Sequence, residues 1–124
     1  MDQTSLPQNI LSSRACEIVS CGLHFAVIQV LQTEAFSKWL RGLRDRRAVA
    51  RIVERLRRLA LGNPGDVKPV GDGLSELRVD YGPGYRVYFA RRGEVLIVVL
   101  RGGEKASQGR DITRAKALAK EIDE

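Results

Sequence analysis

Side chains that bind metals or form disulfides are scarce in this sequence. Its 124 residues include one histidine, His24, and two cysteines, Cys16 and Cys21, and all three lie in the N-terminal segment. A structural zinc site needs about four such ligands, usually supplied by two separate clusters. Because no second cluster follows, the sequence predicts a protein without a metal centre or other cofactor.

Long apolar runs are also missing. No stretch approaches the ~18 apolar residues of a membrane-spanning helix. The opening segment has no basic stretch ahead of an apolar one, as a secretion signal would have. The length suits one packed domain better than two. These features predict a single-domain, soluble, cytoplasmic protein with no membrane partner.

Positive charge is what the sequence has in excess. It contains 21 Lys and Arg against 15 Asp and Glu, a formal net charge of +6. A basic protein of this kind favours a polyanionic partner, such as nucleic acid, an acidic protein or an anionic surface. Charge alone does not choose among them.

The spacing of apolar residues predicts an α+β domain over residues 25–124. Residues 1–24 are polar and show no period, so they are predicted to form a mobile N-terminal extension. A strand at 25–31 leads into a short helix capped by Thr33. A second helix runs from about Asp45 to Leu61 and stops at the Gly-Asn-Pro sequence that follows.

Four more strands and a C-terminal helix complete the prediction. The run VLIVVL in the last strand is apolar at every position, which is typical of a central strand covered on both faces. The C-terminal helix is predicted to begin at about Asp111. The strands are predicted at residues 67–70, 74–81, 85–91 and 94–101.

One face of the second helix is strongly basic. Only Asp45 and Glu54 offset its charge locally. Such faces are usually solvated, with arginine stems lying over the edge of the core, but like charge at this density also favours a polyanionic partner. The stripe follows steps of three or four residues and consists of Arg44, Arg47, Arg51, Arg55 and Arg58.

Residues 76–93 read ELRVDYGPGYRVYFARRG, two alternating runs around a Gly-Pro-Gly turn. Burying their aliphatic residues on one face predicts a hairpin with a three-residue loop. This register places Arg78 opposite Tyr88 and Asp80 opposite Arg86, on the face away from the core. Cross-strand pairs of this kind occur for purely structural reasons as often as for function.

More basic residues follow the central strand. An antiparallel arrangement brings Arg101 and Lys105 close to the polar face of the hairpin. Cations gathered beside exposed tyrosines suit a chain with phosphates to neutralise and unstacked bases to pack. The sequence therefore favours single-stranded RNA as the partner.

Three segments resemble the addiction-module killer proteins of the RelE/HigB toxin superfamily: TEAFSKWLRGLRDRRAVARIVERLRRL, GNPGDVKPVGDGLSELRVDYGPGYRVYF and LIVVLRGGEKASQGRDITRAKALAKEI. The resemblance covers about residues 27–122. It implies two N-terminal helices packed on a curved, mostly antiparallel sheet. It further implies a type II toxin that cleaves messenger RNA in the ribosomal A site and is held inactive by a cognate antitoxin, of helix-turn-helix type, with an acidic segment over the basic face.

The resemblance also implies roles for individual residues. Arg86 matches the arginine that lies near the scissile phosphate, and Arg78 matches a catalytic basic position on the preceding strand. Lys105 or Arg101 corresponds to the basic residue after the central strand, and the helix stripe would contact ribosomal RNA. The sequence departs from this family in two respects. Some members carry a tyrosine where this chain reads SQGRDI, and others use histidines that this chain lacks.

Cleavage by attack of a 2′-hydroxyl on the adjacent phosphate needs a base, an acid and stabilisation of the developing charge. Arginine suits the last task only, because it does not titrate near neutral pH. His24 lies in the predicted extension and belongs to no motif. The proton carriers left open are Tyr88, Glu76, Asp80, Glu104 and Lys105.

Two other functions agree with the same residues. A non-catalytic nucleic-acid-binding module would use the stripe for phosphate contacts. A partner-binding protein would receive an acidic helix in its basic groove.

Overall fold

The described part of the chain, which in this computed structural model comprises residues 10–12, 28–93 and 96–123, places two helices after its first two strands and a third helix after four more strands. The strands are β1 (Ile10–Ser12), β2 (Gln29–Thr33), β3 (Val67–Gly71), β4 (Leu74–Val79), β5 (Tyr85–Arg92) and β6 (Leu96–Glu104). The helices are α1 (Glu34–Gly42), α2 (Arg46–Ala60) and α3 (Gln108–Asp123), with a 3-10 turn at Lys105–Ser107 before α3.

The strands form one mixed sheet in the order β1-β2-β6-β5-β4-β3. Strands β2 and β6 run parallel, and every other neighbouring pair is antiparallel. The parallel pair needs a long crossover, which α1, α2 and the three intervening strands provide. The predictions of an α+β fold and of a mostly antiparallel sheet are both confirmed.

Side-chain caps start the first two helices where the sequence predicts. The Thr33 hydroxyl accepts a hydrogen bond from the Phe36 N–H at 3.1 Å and donates one to the Leu100 carbonyl at 2.6 Å. Asp45 caps α2 by accepting from the N–H groups of Arg47 and Ala48. These bonds satisfy amides that a helix start leaves unpaired.

Helices cover both faces of the sheet. Helices α1 and α2 pack on one face and α3 on the other. The central strand β6 serves both cores, since Ile97 and Val99 lie in the first and Val98 and Leu100 in the second. The prediction that this apolar strand is covered on both sides is confirmed for its described residues 96–100.

A β-bulge interrupts the pairing of β5 with β6. Tyr88 lies opposite Arg101 and Phe89 opposite Val99, so Leu100 is the extra residue. Its carbonyl is the one that Thr33 satisfies. The bulge places Leu100 and Arg101 on the α3 side of the sheet, where each makes its contacts.

The predicted hairpin register is wrong by two residues. Arg78 lies opposite Arg86, and Glu76 lies opposite Tyr88. The loop is longer than predicted because a turn closes by hydrogen bonds from the Tyr81 N–H to Val79 and from the Gly84 N–H to Tyr81. The shift is an even number, so the residues predicted for the core still face it.

The hairpin face predicted to be solvent-exposed is covered by α3. Glu76 and Tyr88 are each 0% exposed, so the prediction of an exposed Tyr88 is wrong. Sequence alternation cannot show this, because it marks the two faces of a hairpin and not which of them a distant helix will cover.

Some element bounds differ from prediction. Strand β6 continues to Glu104 and α3 begins at Gln108, while α2 begins at Arg46 and leaves Arg44 in the preceding loop. Most of the predicted extension, with His24 and both cysteines, lies outside the described residues; Ile10–Ser12 pair with β2. In the described ranges, no helix is long and apolar enough to cross a membrane.

Candidate functional site

Three predicted cations meet in one cleft at the loop end of the β4–β5 hairpin. Arg78, Arg86 and Lys105 all line it, and its volume is about 200 Å³. The remaining lining residues are Asp66, Val79, Asp80 and Gly84.

Backbone pairing places these cations. Arg78 and Arg86 are direct cross-strand neighbours. Two like charges in such a pair repel each other and destabilise the sheet. Lys105 is brought to them by its own N–H, which donates to the Gly84 carbonyl at 2.7 Å. Gly84 has a φ of 86° and lies against the Lys105 side chain, so a left-handed backbone is required at this close approach.

Each arginine has one carboxylate nearby. Arg78 forms an ion pair with Asp66 at 3.3 Å, and both side chains are substantially exposed, so the pair adds little to stability. Arg86 lies 3.9 Å from Glu76, with its side chain 11% exposed. The carboxylate beside Arg78 is therefore exposed at the surface, whereas the carboxylate beside Arg86 is buried.

Glu76 is the centre of a buried polar cluster. Its Oε2 accepts a hydrogen bond from the Tyr88 hydroxyl at 3.1 Å and from the Gln108 amide at 2.6 Å. Burial, and then the charge of Glu76, raise the pKa of Tyr88 well above its usual range. Tyr88 therefore stays protonated at neutral pH and acts as a donor to Glu76.

Asp80 is the carboxylate that remains uncommitted in the cleft. It is exposed, and within the described part of the chain no hydrogen bond or ion pair engages its side chain. Asp66 is engaged by Arg78, and Glu104 closes the 3-10 turn through a capping box with Ser107. Among the acidic proton carriers left open by the sequence, only Asp80 lines the cleft.

A second, larger cleft of about 430 Å³ runs along the basic face of α2. Val79 and Asp80 line both clefts, so the two adjoin at this point. The α2 side is lined by Arg47, Ala50, Arg51, Glu54, Arg55 and Arg58. Basic surface thus extends from α2 to the paired arginines of the hairpin.

The arginines of the stripe have different contacts. Arg55 donates to the backbone carbonyls of Arg78, Pro64 and Asp66 at 2.6 to 3.3 Å, so it holds the chain before β3 against β4. Arg51 lies over the Tyr81 ring, 4.7 Å from its centre.

Glu54 engages Arg58 of the stripe and the neighbouring Arg57. Hydrogen bonds from Arg57 and then Arg58 lower the pKa of its carboxyl. In contrast, the Arg47 side chain lines the cleft without a hydrogen bond or ion pair to any described residue.

Arg101 does not join Arg78 and Arg86. It donates to Asp111 of α3 at 3.0 Å and lines a third cleft, to which α1 contributes Trp39 and α3 contributes Arg110 and Arg114. The bulge at Leu100 turns it there. The predicted convergence of basic groups at the hairpin thus includes Lys105 and leaves out Arg101.

Two site residues were missed by the sequence analysis. Asp66 precedes β3 in a segment that carries the family resemblance but was given no role, and only the fold brings it to Arg78. Gln108 lies in SQGRDI, the segment that departs from the relatives, and this departure was a usable signal. No group of residues suited to holding a metal ion occurs within the ranges that the structure describes.

The geometry defines a small α+β protein whose hairpin end and second helix present adjoining basic clefts. The chain belongs to the family described as Phage derived protein Gp49-like, whose model matches residues 38–123. This family is associated with toxin–antitoxin systems and is related to the toxins of addiction modules.

An uncharacterised protein of Haemophilus influenzae is a similar relative. It is 48% identical over 95 residues, which span 77% of this chain and 96% of that protein. No solved structure matches the chain.

Proposed function

We propose that this protein is the toxin of a type II toxin–antitoxin module and cleaves messenger RNA on the ribosome, as the RelE/HigB superfamily resembled by its sequence does. The observation that carries the proposal is the cross-strand pair Arg78 and Arg86, joined by Lys105 in one cleft. Family membership supports the assignment as a toxin.

The paired arginines suit a phosphodiester. Three cations line the cleft against the two carboxylates of Asp66 and Asp80, which leaves an excess of positive charge. Guanidinium groups bind phosphate oxygens through two parallel N–H bonds. Fixed donors of this kind stabilise the charge that develops on phosphorus during cleavage. The cleft therefore suits both the binding of a phosphodiester and a reaction at its phosphorus.

Cleavage forms a bond from the ribose 2′-oxygen to phosphorus and breaks the bond from phosphorus to the 5′-oxygen. We assign Asp80 as the base that takes the 2′-hydroxyl proton, since its carboxylate is uncommitted in the cleft. The Lys105 ammonium gives a proton to the leaving 5′-oxygen. The products are a 2′,3′-cyclic phosphate and a 5′-hydroxyl.

The α2 cleft gives the rest of the RNA a place to lie. Arg47 and Arg51 line it, and it adjoins the hairpin cleft at Asp80. Single-stranded or ribosomal RNA can thus contact α2 while one phosphate reaches Arg86. A cognate antitoxin with an acidic segment over this surface would block both clefts.

The proposal is tested by primer extension on a defined messenger, with and without ribosomes. Arg86→Ala is expected to lower cleavage by at least about 100-fold, the loss typical of a removed charge-stabilising donor. Arg91→Ala is the matched control, because Arg91 lies exposed at the far end of the same strand. Circular dichroism of each variant checks the fold.

Cuts that need both ribosomes and Arg86 support the full proposal. Cuts of equal rate on free RNA would show that cleavage does not need the ribosome, and would keep only the nuclease part of the proposal. Absence of cuts by the native chain in both settings would reject the nuclease and favour the non-catalytic binding module.

The role of Asp80 is tested separately by Asp80→Asn, with Asp72→Asn as the control, because Asp72 lies in the β3–β4 turn and does not line the cleft. We expect a loss of about 100-fold or more in kcat for Asp80→Asn. A kcat for Asp80→Asn equal to the native value would exclude Asp80 as the base.

A further inference from the structure

A buried carboxylate lies directly behind the hairpin cleft. Glu76 is 0% exposed, and Tyr88 and Gln108 both donate to its Oε2. Strands β4 and β5 and helix α3 therefore meet at one oxygen atom.

The other oxygen of Glu76 faces Arg86. Arg86 NH1 lies 3.9 Å from Oε1, which is inside the range of an ion pair but beyond that of a hydrogen bond. Glu76 Oε1 and Arg86 Nε have no hydrogen-bond partner among the described residues. Charge attracts Arg86 to Glu76, while the buried Arg86 Nε–H stays unpaired and the exposed part of the residue lines the cleft.

This arrangement is a poor way to stabilise a fold. A buried ion pair overcomes the cost of desolvation only when its geometry is good and its hydrogen bonds are complete. Here the Arg86 side of the pair is incomplete, whereas the Gln108 and Tyr88 side is complete. Orienting Arg86 toward the cleft explains both facts.

We infer that Gln108 is a positioning residue of the proposed nuclease site: by fixing the Glu76 carboxylate, it sets the direction in which Arg86 meets the scissile phosphate. This inference rests on the proposed function. Nothing in Gln108 needs to touch the RNA, because it acts through Glu76.

Gln108 also ties the second cation of the site to the first. It directly follows the 3-10 turn Lys105–Ser107, whose first N–H is bonded to Gly84. Residues 105–108 are thereby held at both ends, by the Lys105 bond to Gly84 and by the Gln108 bond to Glu76. The separation of Lys105 from Arg86 consequently depends on the Gln108–Glu76 hydrogen bond.

The test is a double-mutant cycle on cleavage kinetics. Gln108→Met keeps the side-chain length and removes the donor, and we expect kcat to fall about 10- to 100-fold with KM nearly unchanged, the loss of a misplaced catalytic group. Thr113→Ala is the control, since it removes an α3 hydroxyl bonded only to the helix backbone. In an Arg86→Lys background the effect of Gln108→Met should shrink to about twofold, because coupled residues are not additive.

An equal loss in both backgrounds would overturn the inference, as would a native rate for Gln108→Met. A second readout needs no RNA cleavage. The Arg86 Nε–H resonance, assigned by its absence from Arg86→Lys, should shift or broaden in Gln108→Met and stay in place in Thr113→Ala.

The two proposals fail separately. A native chain without nuclease activity rejects the proposed function, while the resonance still tests the link from Gln108 to Arg86. An unmoved resonance in an active enzyme rejects the link and leaves the nuclease intact.

Discussion

At the scale of single residues, two adjacent glycines in β6 let the sheet approach its helices. A Cβ on Gly102 would overlap the Trp39 ring, and one on Gly103 would overlap the Asp111 carboxylate. Gly102 faces α1 and Gly103 faces α3, so the pair fits the sheet between both helical layers. The sequence pattern Gly-Gly after a central strand suggests a turn, but here it is required by packing.

Gly102→Ala is therefore expected to destabilise the fold by about 1 to 3 kcal/mol through overpacking against Trp39. Urea unfolding measures the change. Gly109→Ala is the matched control: nothing lies near its Cβ position and it sits in α3, so alanine should be neutral or stabilising by up to about 1 kcal/mol. Equal effects at the two positions would contradict the packing explanation.

Tyr88 gives a prediction on pH. Burial raises the pKa of its phenol, so above about pH 10 the unfolded chain loses a proton that the folded chain keeps. The contribution of the protonated Tyr88 phenol to the free energy of unfolding is fully present below that pH. It is lost as pH rises further, at up to about 1.4 kcal/mol per pH unit.

Tyr88→Phe should therefore flatten the alkaline fall of unfolding free energy, beyond any constant loss from the missing bond to Glu76. Urea unfolding across about pH 8 to 11 measures this. Burial also raises the pKa of Tyr81 and Tyr85, and both remain in the variant, so the difference between the two curves belongs to Tyr88. Parallel curves would show that Tyr88 titrates normally.

At the scale of elements, helix α2 combines a structural arginine with arginines that remain available for binding. Arg55→Ala removes three charged hydrogen bonds to backbone carbonyls and is expected to cost about 2 to 3 kcal/mol of unfolding free energy. Arg47→Ala removes a cation from the first turn of the helix, where positive charge is unfavourable, and should change stability by less than about 0.5 kcal/mol. Urea unfolding of both variants decides whether the stripe is divided in this way.

The same element shows what sequence can and cannot predict. Helical spacing, the Asp45 cap and the Gly-Asn-Pro stop predict α2 well, because these are local signals. The spacing cannot tell Arg55 from Arg47, since the carbonyls that Arg55 binds belong to a distant loop and strand.

The β4–β5 hairpin likewise has features that the sequence predicts and features that it cannot predict. Parity of the apolar residues predicts which residues of β4 and β5 share one core face, and this prediction holds, but the opposite face is buried as well. The register depends on hydrogen bonds inside the turn, and the cover over Glu76 and Tyr88 depends on α3, which lies far along the chain. The sequence singled out Arg78, Arg86 and Lys105 because each carries charge, and the fold brings them to one cleft. It did not single out Gln108, whose hydrogen bond to Glu76 exists only in the folded chain.

At the scale of the whole molecule, the two adjoining clefts form one continuous basic surface, and each cleft has its own role in the proposed function. The hairpin cleft holds the reacting phosphate in our proposal, and the α2 cleft holds the neighbouring nucleotides. A single-stranded RNA lying across both would release counterions from each contacted phosphate, so its affinity should fall steeply with salt.

A 2′-O-methyl RNA is a suitable probe, since it binds without offering the nucleophile. The slope of log affinity against log salt should fall in magnitude by about 0.7 for each phosphate contact removed. Arg47→Ala should show this change, whereas Arg91→Ala should keep the native slope because Arg91 lies about 17 Å along β5 from Arg86. An Arg47→Ala slope equal to the native one would mean that RNA does not run over α2, even if the hairpin cleft cleaves it, and would leave the α2 cleft to the antitoxin.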